Sequence, residues 1–356
     1  MHNDKNVHHR YLASDVEQFA KALFTHYGAD EEKAAALANV LLEGELLGHR
    51  THGLALLEPY LREIESGSMT LQGEPAVIAD KGAVSTWDGR RLPGPWLMKR
   101  ALGQCIERAR EYGTATLAIR RSHHIACLAA YLKEATDQGF ILEIQASGPS
   151  SASVAPFGGR QGVLSPNPIA IGFPTRDSAV LIDVSTSVTS NSYVNRCQQQ
   201  GRELPWPWLL DAAGQPSKDP AAIGQGGTIL PLGGMDAGHK GYGLSLMIEA
   251  LTTGLGGHGR ADPAEGFGAS SVLLQVYDPQ AFAGTEAFLR QTQWLQESCK
   301  ACPPVHEQQP VRLPGERGLI QRETQLREGL LLEFSVIASW PARAAAARIA
   351  LPEPLR

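Results

Sequence analysis

The stretch that most narrows the fold is Leu117 to His124, where a strand-like run empties into two arginines, a serine and two adjacent histidines. The run Ala115–Ile119 has the length and content of a buried strand, and Gly113 marks the turn before it. A helical pattern follows from Ile125 through Leu128, Tyr131, Leu132 and Ala135 to Gly139. A strand that runs into a loop and then a helix is the unit of an α/β protein, and its exit is where such proteins place binding chemistry. His123 and His124 read either as one surface and one core residue or as acid–base groups, since imidazole alone changes charge near neutral pH.

Around this unit the chain changes texture twice. Residues 11–70 are helical: Ser14 and Glu17 fit a capping box, and Val16, Phe19, Ala20, Leu23 and Phe24 recur at helical spacing up to Gly28. A second helix spans Asp30 to Leu47, a third Leu54 to Glu65, and the loop Gly48-His49-Arg50-Thr51-His52-Gly53 joins them. From Ala76 the runs become short and β-like, with strands expected at Ala83–Trp87, Phe140–Ala146, Ala179–Val184 and Ser271–Tyr277. Helices are expected at Pro95–Tyr112, Leu244–Leu255 and Glu286–Ala301, and again in the Ala/Arg-rich C-terminal segment.

Two further places suit anions. Ser185-Thr186-Ser187 offers hydroxyls at a strand exit, and Lys240 sits in a glycine-rich segment, Gly238–Gly243, read as a helix start. The formal Gly-x-Gly-x-x-Gly at Gly254–Gly259 follows a helix, and a dinucleotide loop needs a strand before it, so it reads as a helix end and its loop. Cys299-x-x-Cys302 lacks a second pair, and His-Glu-x-x-His, a Walker loop and Gly-x-Ser-x-Gly are all missing. No metal site is expected.

The 356 residues are 43% hydrophobic and 19% charged, which excludes disordered and fibrous classes and leaves room for two lobes. A net charge of −5 argues against nucleic acid. Five scattered cysteines suit reduced thiols, Met1–Arg10 is polar without a signal-peptide core, and no apolar run nears the roughly 18 residues of a membrane span. A cytoplasmic protein is the expectation.

Seven short motifs then fall in one order: Thr51-His52-Gly53, Ser122-His123-His124, Ala155–Gly159, Asn167-Pro168-Ile169-Ala170, Asp183–Ser187, His239–Gly243 and Leu313-Pro314-Gly315-Glu316-Arg317. From about Ser14 to Ala338 the chain resembles the type-2 malate/L-lactate dehydrogenase family. The resemblance implies an α/β fold: a non-Rossmann mixed-sheet NAD(P)-binding core over residues 76–285, with a helical domain from residues 1–75 and 286–356. It implies a homodimer acting on a small 2-oxo or 2-hydroxy acid with NAD or NADP. It implies His52 and His124 as the catalytic pair, with Arg50, Thr51 and Ser122 near the substrate. Gly148, Ile182, Asp183, Val184, His239, Lys240, Gly315, Glu316 and Arg317 match cofactor-contacting positions. The chain departs from the family where Arg50 and Thr51 replace Asp-Ser, where Leu56 replaces an arginine useful for a carboxylate, and where Met235–Gly238 lengthens the segment before His239. Arg50 is one candidate to replace it as carboxylate anchor, a role these departures leave open.

The residue types suit that reaction, because carbonyl reduction needs a hydride and a proton that histidine supplies near neutral pH. A cyclic imine acid would be reduced by the same logic, and a catalytically inactive binding protein of this fold is the reading from another class. Retention of His52, His124 and Lys240 argues against the latter.

Overall fold

In the computed structural model, which describes residues 9–263 and 268–355, helices and one large mixed sheet share a single main core. The chain opens with a short strand β1 (His9–Tyr11) and two antiparallel helices, α1 (Ala13–His26) and α2 (Glu31–Leu46). The apolar spacing of α1 buries Val16, Phe19, Ala20, Leu23 and Phe24, and Gly28 at φ +99° stops it. Asp30 caps α2 by accepting from the Lys33 N–H at 2.9 Å. The expected Ser14–Glu17 capping box does not form. The helix already starts at Ala13, Ser14 turns to Asp15, and Glu17 instead accepts from Asn39 of α2 at 3.0 Å. After α3 (Leu57–Glu65) the sheet begins with β2 (Ala76–Lys81) and β3 (Val84–Asp88).

Helix α4 (Gly94–Tyr112) ends at Gly113 in the left-handed region and returns as β4 (Thr114–Ser122). Helix α5 (Ala129–Thr136) is shorter than its pattern suggested. Ile125–Leu128 stays irregular because Ala126 adopts φ +58°, and the first helical N–H, that of Ala129, is held by the Asp183 carboxylate at 2.9 Å. Strands β5 (Ile141–Ser147), β6 (Pro168–Phe173) and β7 (Val180–Ser185) follow. Next come α6 (Asn191–Gln199) and three two-residue strands, β8 (Leu209–Leu210), β9 (Pro216–Ser217) and β10 (Thr228–Ile229). These last elements enclose a small second core of Val154, Leu164, Val194, Cys197, Leu204, Leu209, Ala222 and Ile229.

Helix α7 (Gly234–Glu249) starts ten residues before its expected position, so Met235–Gly238 and Lys240 lie inside it. Two of its glycines are points of close approach: a Cβ on Gly241 would stand 2.4 Å from the Leu232 nitrogen, and one on Gly238 would stand 3.0 Å from the Phe157 ring. The helix continues as a π-helical turn, Ala250–Gly254, and stays helical to Gly256, so the glycine-rich segment is a helix end followed by a loop from Gly257, as its context implied. Strand β11 (Ser270–Tyr277) completes the sheet, followed by α8 (Thr285–Ala301), α9 (Glu316–Glu328), β12 (Leu330–Leu332), α10 (Phe334–Ile337) and α11 (Trp340–Ala347).

The seven strands run β2-β3-β4-β11-β5-β6-β7, and only β3 and β4 are parallel. Such a sheet lacks the parallel βαβ crevice of a Rossmann fold. Helices α4 and α5 cover one face with α2 stacked outside them, and the π-helical turn contacts the other face. Strands β1 and β12 pair the two ends of the described chain, His9 opposite Leu332. Among the described residues no helix is long and apolar enough to cross a membrane.

Candidate active site

Strand β4 delivers the second histidine of the pair into a backbone under strain. Arg121 and Ala126, which bracket His123 and His124, both hold left-handed φ values, +53° and +58°. Strain of this kind persists only where surrounding structure over-determines it. Here the clamp is the start of α4: a Cβ on Gly94 would stand 2.4 Å from the carbonyl oxygens of both His123 and His124, so only glycine fits. The His123 N–H donates to the Leu92 carbonyl at 3.1 Å.

His124 is oriented by two groups at Nδ1. The Ala126 N–H donates to it at 3.2 Å, and the Tyr60 hydroxyl of α3 lies 2.8 Å away. A nitrogen that accepts a backbone N–H carries no proton, which leaves Nε2–H as the free donor. Burial, with the like charges of His52 and His123 adding to it, brings the His124 pKa down to about 3. The ring is therefore neutral at physiological pH.

His52 comes from the loop between α2 and α3. The loop lies flat on α2 because Gly53 has no side chain: a Cβ there would stand 2.7 Å from the Glu45 nitrogen. Glu45 accepts from the Leu54 N–H at 3.2 Å and fixes the loop's far end. The His52 and His124 rings are 5.9 Å apart, close to parallel at 24°. Thr51 Oγ1 sits 2.9 Å from His52 Nδ1. Burial lowers the His52 pKa, and the Asp183 carboxylate on β7 opposes that shift by favouring the cation.

Asp183 is thus shared between His52, the Ala129 N–H and the Cys127 thiol, whose Sγ is 3.8 Å from Oδ2. Beside it a cavity of about 290 Å³ is lined by Leu47, His49, Ile182, Asp183, Val184 and Gly315, among others. Gly315, at φ +85°, lets the turn before α9 press on β7, where a Cβ would meet Leu181 at 2.7 Å. The Leu181 N–H donates to the Pro314 carbonyl at 3.1 Å. Ile182, Asp183, Val184 and Gly315, far apart in sequence, thus share one wall system with the His52 loop.

Other sequence candidates fall elsewhere. Arg50 is paired with Glu333 at 2.7 Å, and Arg196 approaches the same oxygen at 2.9 Å. The buried Ser122 hydroxyl donates to the His123 carbonyl at 2.8 Å. Glu316 closes its own turn, accepting from the Leu313 N–H at 3.0 Å and pairing with Lys300 at 2.8 Å, while Arg317 is exposed. His239 packs edge-on against Phe157, and both it and Lys240 are exposed on α7. The hydroxyls of Ser185, Thr186 and Ser187 each bond to nearby carbonyls of the chain itself. Gly148 belongs to a loop pinned by Arg260, which reaches the carbonyls of Gly148, Pro149 and Ser151 and pairs with Glu249 at 2.8 Å. Arg260, Tyr60 and Glu45 carried no motif signal, and only the burial of their polar groups reveals them.

Neutral imidazoles stacked beside a carboxylate are machinery for moving a proton, and the sheet around them is no Rossmann sheet. The fold places the chain among α/β dehydrogenases whose mixed sheet is not a Rossmann sheet. It belongs to the malate/L-lactate dehydrogenase family, whose model matches residues 12–339. It is similar to hydroxycarboxylate dehydrogenase B of Escherichia coli K12, 30% identical over 97% of this chain and 96% of that protein. A Δ1-pyrroline-2-carboxylate/Δ1-piperideine-2-carboxylate reductase of Pseudomonas syringae pv. tomato is 31% identical over 88% of this chain and 90% of its own length. The solved malate dehydrogenase of Pyrococcus horikoshii OT3 superposes with a TM-score of 0.87 at 27% identity, over 100% of this chain and 99% of that one.

Proposed function

We propose that the protein interconverts a 2-oxoacid and a 2-hydroxyacid with NAD or NADP, using His52 and His124 as its acid–base pair. The observation that carries this is the stacked pair itself, with the Asp183 charge favouring the cationic form of His52 and a backbone N–H fixing the tautomer of His124. His124 Nε2–H is a neutral donor suited to polarising a substrate carbonyl. His52, the imidazole with a carboxylate behind it, is the group better able to carry a proton to the developing alkoxide and to take it back in oxidation. Asp183 holds that charge in place, and Thr51 orients the ring.

The cleft fits part of a dinucleotide. Its volume sits at the small end of the about 300–1,000 Å³ usual for ligand sites, and its glycine turn excludes side chains where a ring must slide against β7. In this reading Ile182, Asp183, Val184 and Gly315 hold the reactive end. Gly148, His239, Lys240, Glu316 and Arg317 do not line this cavity, and their part in holding the rest of the dinucleotide rests on the resemblance alone. NADH or NADPH, when bound, supplies the hydride. The helical segments (1–75, 286–356) and the sheet segment (76–285) act as the cleft's two walls. Arg50 remains the carboxylate anchor proposed for the substrate, shared with Glu333, and Ser122 keeps the histidine turn in shape. We further propose a homodimer, and a cytoplasmic location consistent with five cysteines free of disulfides.

A second reading, reduction of a cyclic imine carboxylate, is favoured by the likeness to the Pseudomonas reductase. One assay separates them: loss of NADH or NADPH absorbance with a panel of 2-oxoacids and cyclic imine acids. His52→Ala and His124→Ala are each expected to fold normally and lose roughly 10²–10⁴-fold in turnover. Near wild-type turnover in both would overturn the mechanism.

A further inference from the structure

His49, Cys127 and Asp183 come from the α2–α3 loop, the turn before α5 and strand β7, yet their donor atoms lie within 4.8 Å of one another. No spacing in the chain announces them. Asp183 and His49 line the cleft, and Cys127 closes the group from the protein side with its thiol already directed at the Asp183 carboxylate. The His49 side chain has no hydrogen-bond partner among the described residues, and its ring is half-buried at the cleft wall. One nitrogen, one sulfur and one oxygen donor, with the fourth side open to a cavity, form the mixed set that suits zinc among the divalent ions.

We infer that these three side chains bind a zinc-type divalent cation, and that the bound ion blocks the cleft. Bonds of about 2.0–2.3 Å around a tetrahedral ion separate ligand atoms by roughly 3.3–3.8 Å. Side-chain rotation of about an ångström therefore draws the triad closed around the ion. The Cys127 thiol gives up its proton to solvent as the metal–sulfur bond forms, so no oxidant or reductant is involved. Asp183, once a ligand, no longer supports a cation on His52, and an ion at the cleft wall excludes whatever fills it. The binding is independent of the proposed reaction; the inhibition rests on it.

The test uses the full chain with Cys299→Ser and Cys302→Ser, which removes the other thiol pair. Cadmium, whose thiolate bond gives an ultraviolet charge-transfer band, is titrated into the protein without cofactor, and zinc is then used to displace it. The site predicts one equivalent of cadmium, displaced by zinc. Cys127→Ser should abolish the band, and the half-buried His49→Ala should weaken binding by more than the about 10–100-fold typical of residues behind a metal's ligands. No band in the parent protein, a band that persists in Cys127→Ser, or unchanged affinity in His49→Ala overturns the site. In active protein zinc should compete with NAD(P)H, and inhibition with no such competition overturns the blocking role. Binding without any turnover on the acid panel would leave the site standing and remove the proposed reaction instead.

Discussion

Glu45 sits almost wholly enclosed behind the His52 loop, 2% exposed, and burial pushes its pKa up to about 7 despite the Leu54 N–H and the charges of Arg50 and Arg196. In the unfolded chain a glutamate titrates near 4.5. Between these values the folded protein holds a proton that the unfolded chain has released, so stability falls as pH rises through the window and levels off above it. The total loss is up to about 3 kcal/mol. Glu45→Gln, which keeps an oxygen for Leu54, should flatten the melting temperature between about pH 4.5 and 7 and raise it at pH 8, as thermal denaturation across pH will read. An unchanged slope would mean the carboxyl is ionised throughout. None of this was legible in the sequence, where Glu45 looks like one more acidic residue on a helix. His124 stood out as one of two histidines at a strand exit, whereas the loop of His52 reads as a plain polar turn and only the resemblance singled that residue out. Tyr60 did not, since a tyrosine at helical spacing reads as core until its hydroxyl is seen beside Nδ1.

At the scale of elements, periodicity located the longer helices and five of the seven strands of the large sheet; β2, β6, α6 and α9 went unread, and the pattern also failed where tertiary contacts outweighed it. The pattern from Ile125 is helical, but the Asp183 carboxylate delays the helix to Ala129. The glycines around Lys240 look like a helix start, whereas the helix begins at Gly234, and Gly238 and Gly241 serve inside it as packing contacts. Lys240 therefore sits in the second turn of α7, where the helix dipole adds little to its charge. Two glycines make the contrast testable. Gly315 holds φ +85° against Leu181, so Gly315→Ala should lower stability by about 1–3 kcal/mol and weaken NAD(P)H binding. A Cβ on Gly256 meets only Arg120 Cβ at 3.4 Å, and Gly256→Ala should cost at most about 1 kcal/mol with affinity intact. Calorimetric melting and titration of both variants will decide it; lost affinity in Gly256→Ala would revive the rejected glycine loop.

The whole molecule leaves a helix uncovered. Helix α7 exposes Met235, Leu244, Leu246 and Met247, with Leu232 and Leu255 just beyond its ends. A buried-type apolar pattern on one exposed helix suits a second copy of the chain. Sedimentation should give a dimer, and Leu246→Glu should shift it to monomer while leaving the secondary structure intact. A monomeric wild type with full turnover would remove the dimer. Pattern alone could not show this, because a buried helix and an interface helix have the same sequence.

Strand β11 lies between β4 and β5, in register with both: Leu274 faces Leu117 on one side and Ile144 on the other. Those two partners leave the ribosome more than a hundred residues earlier. Until residue 277 emerges, the growing chain carries two half-sheets with a strand-wide gap and two open edges between them. The turn that carries His124 hangs from one of those edges. That edge gains its second neighbour only when β11 arrives, although the turn itself is already clamped from the start of α4.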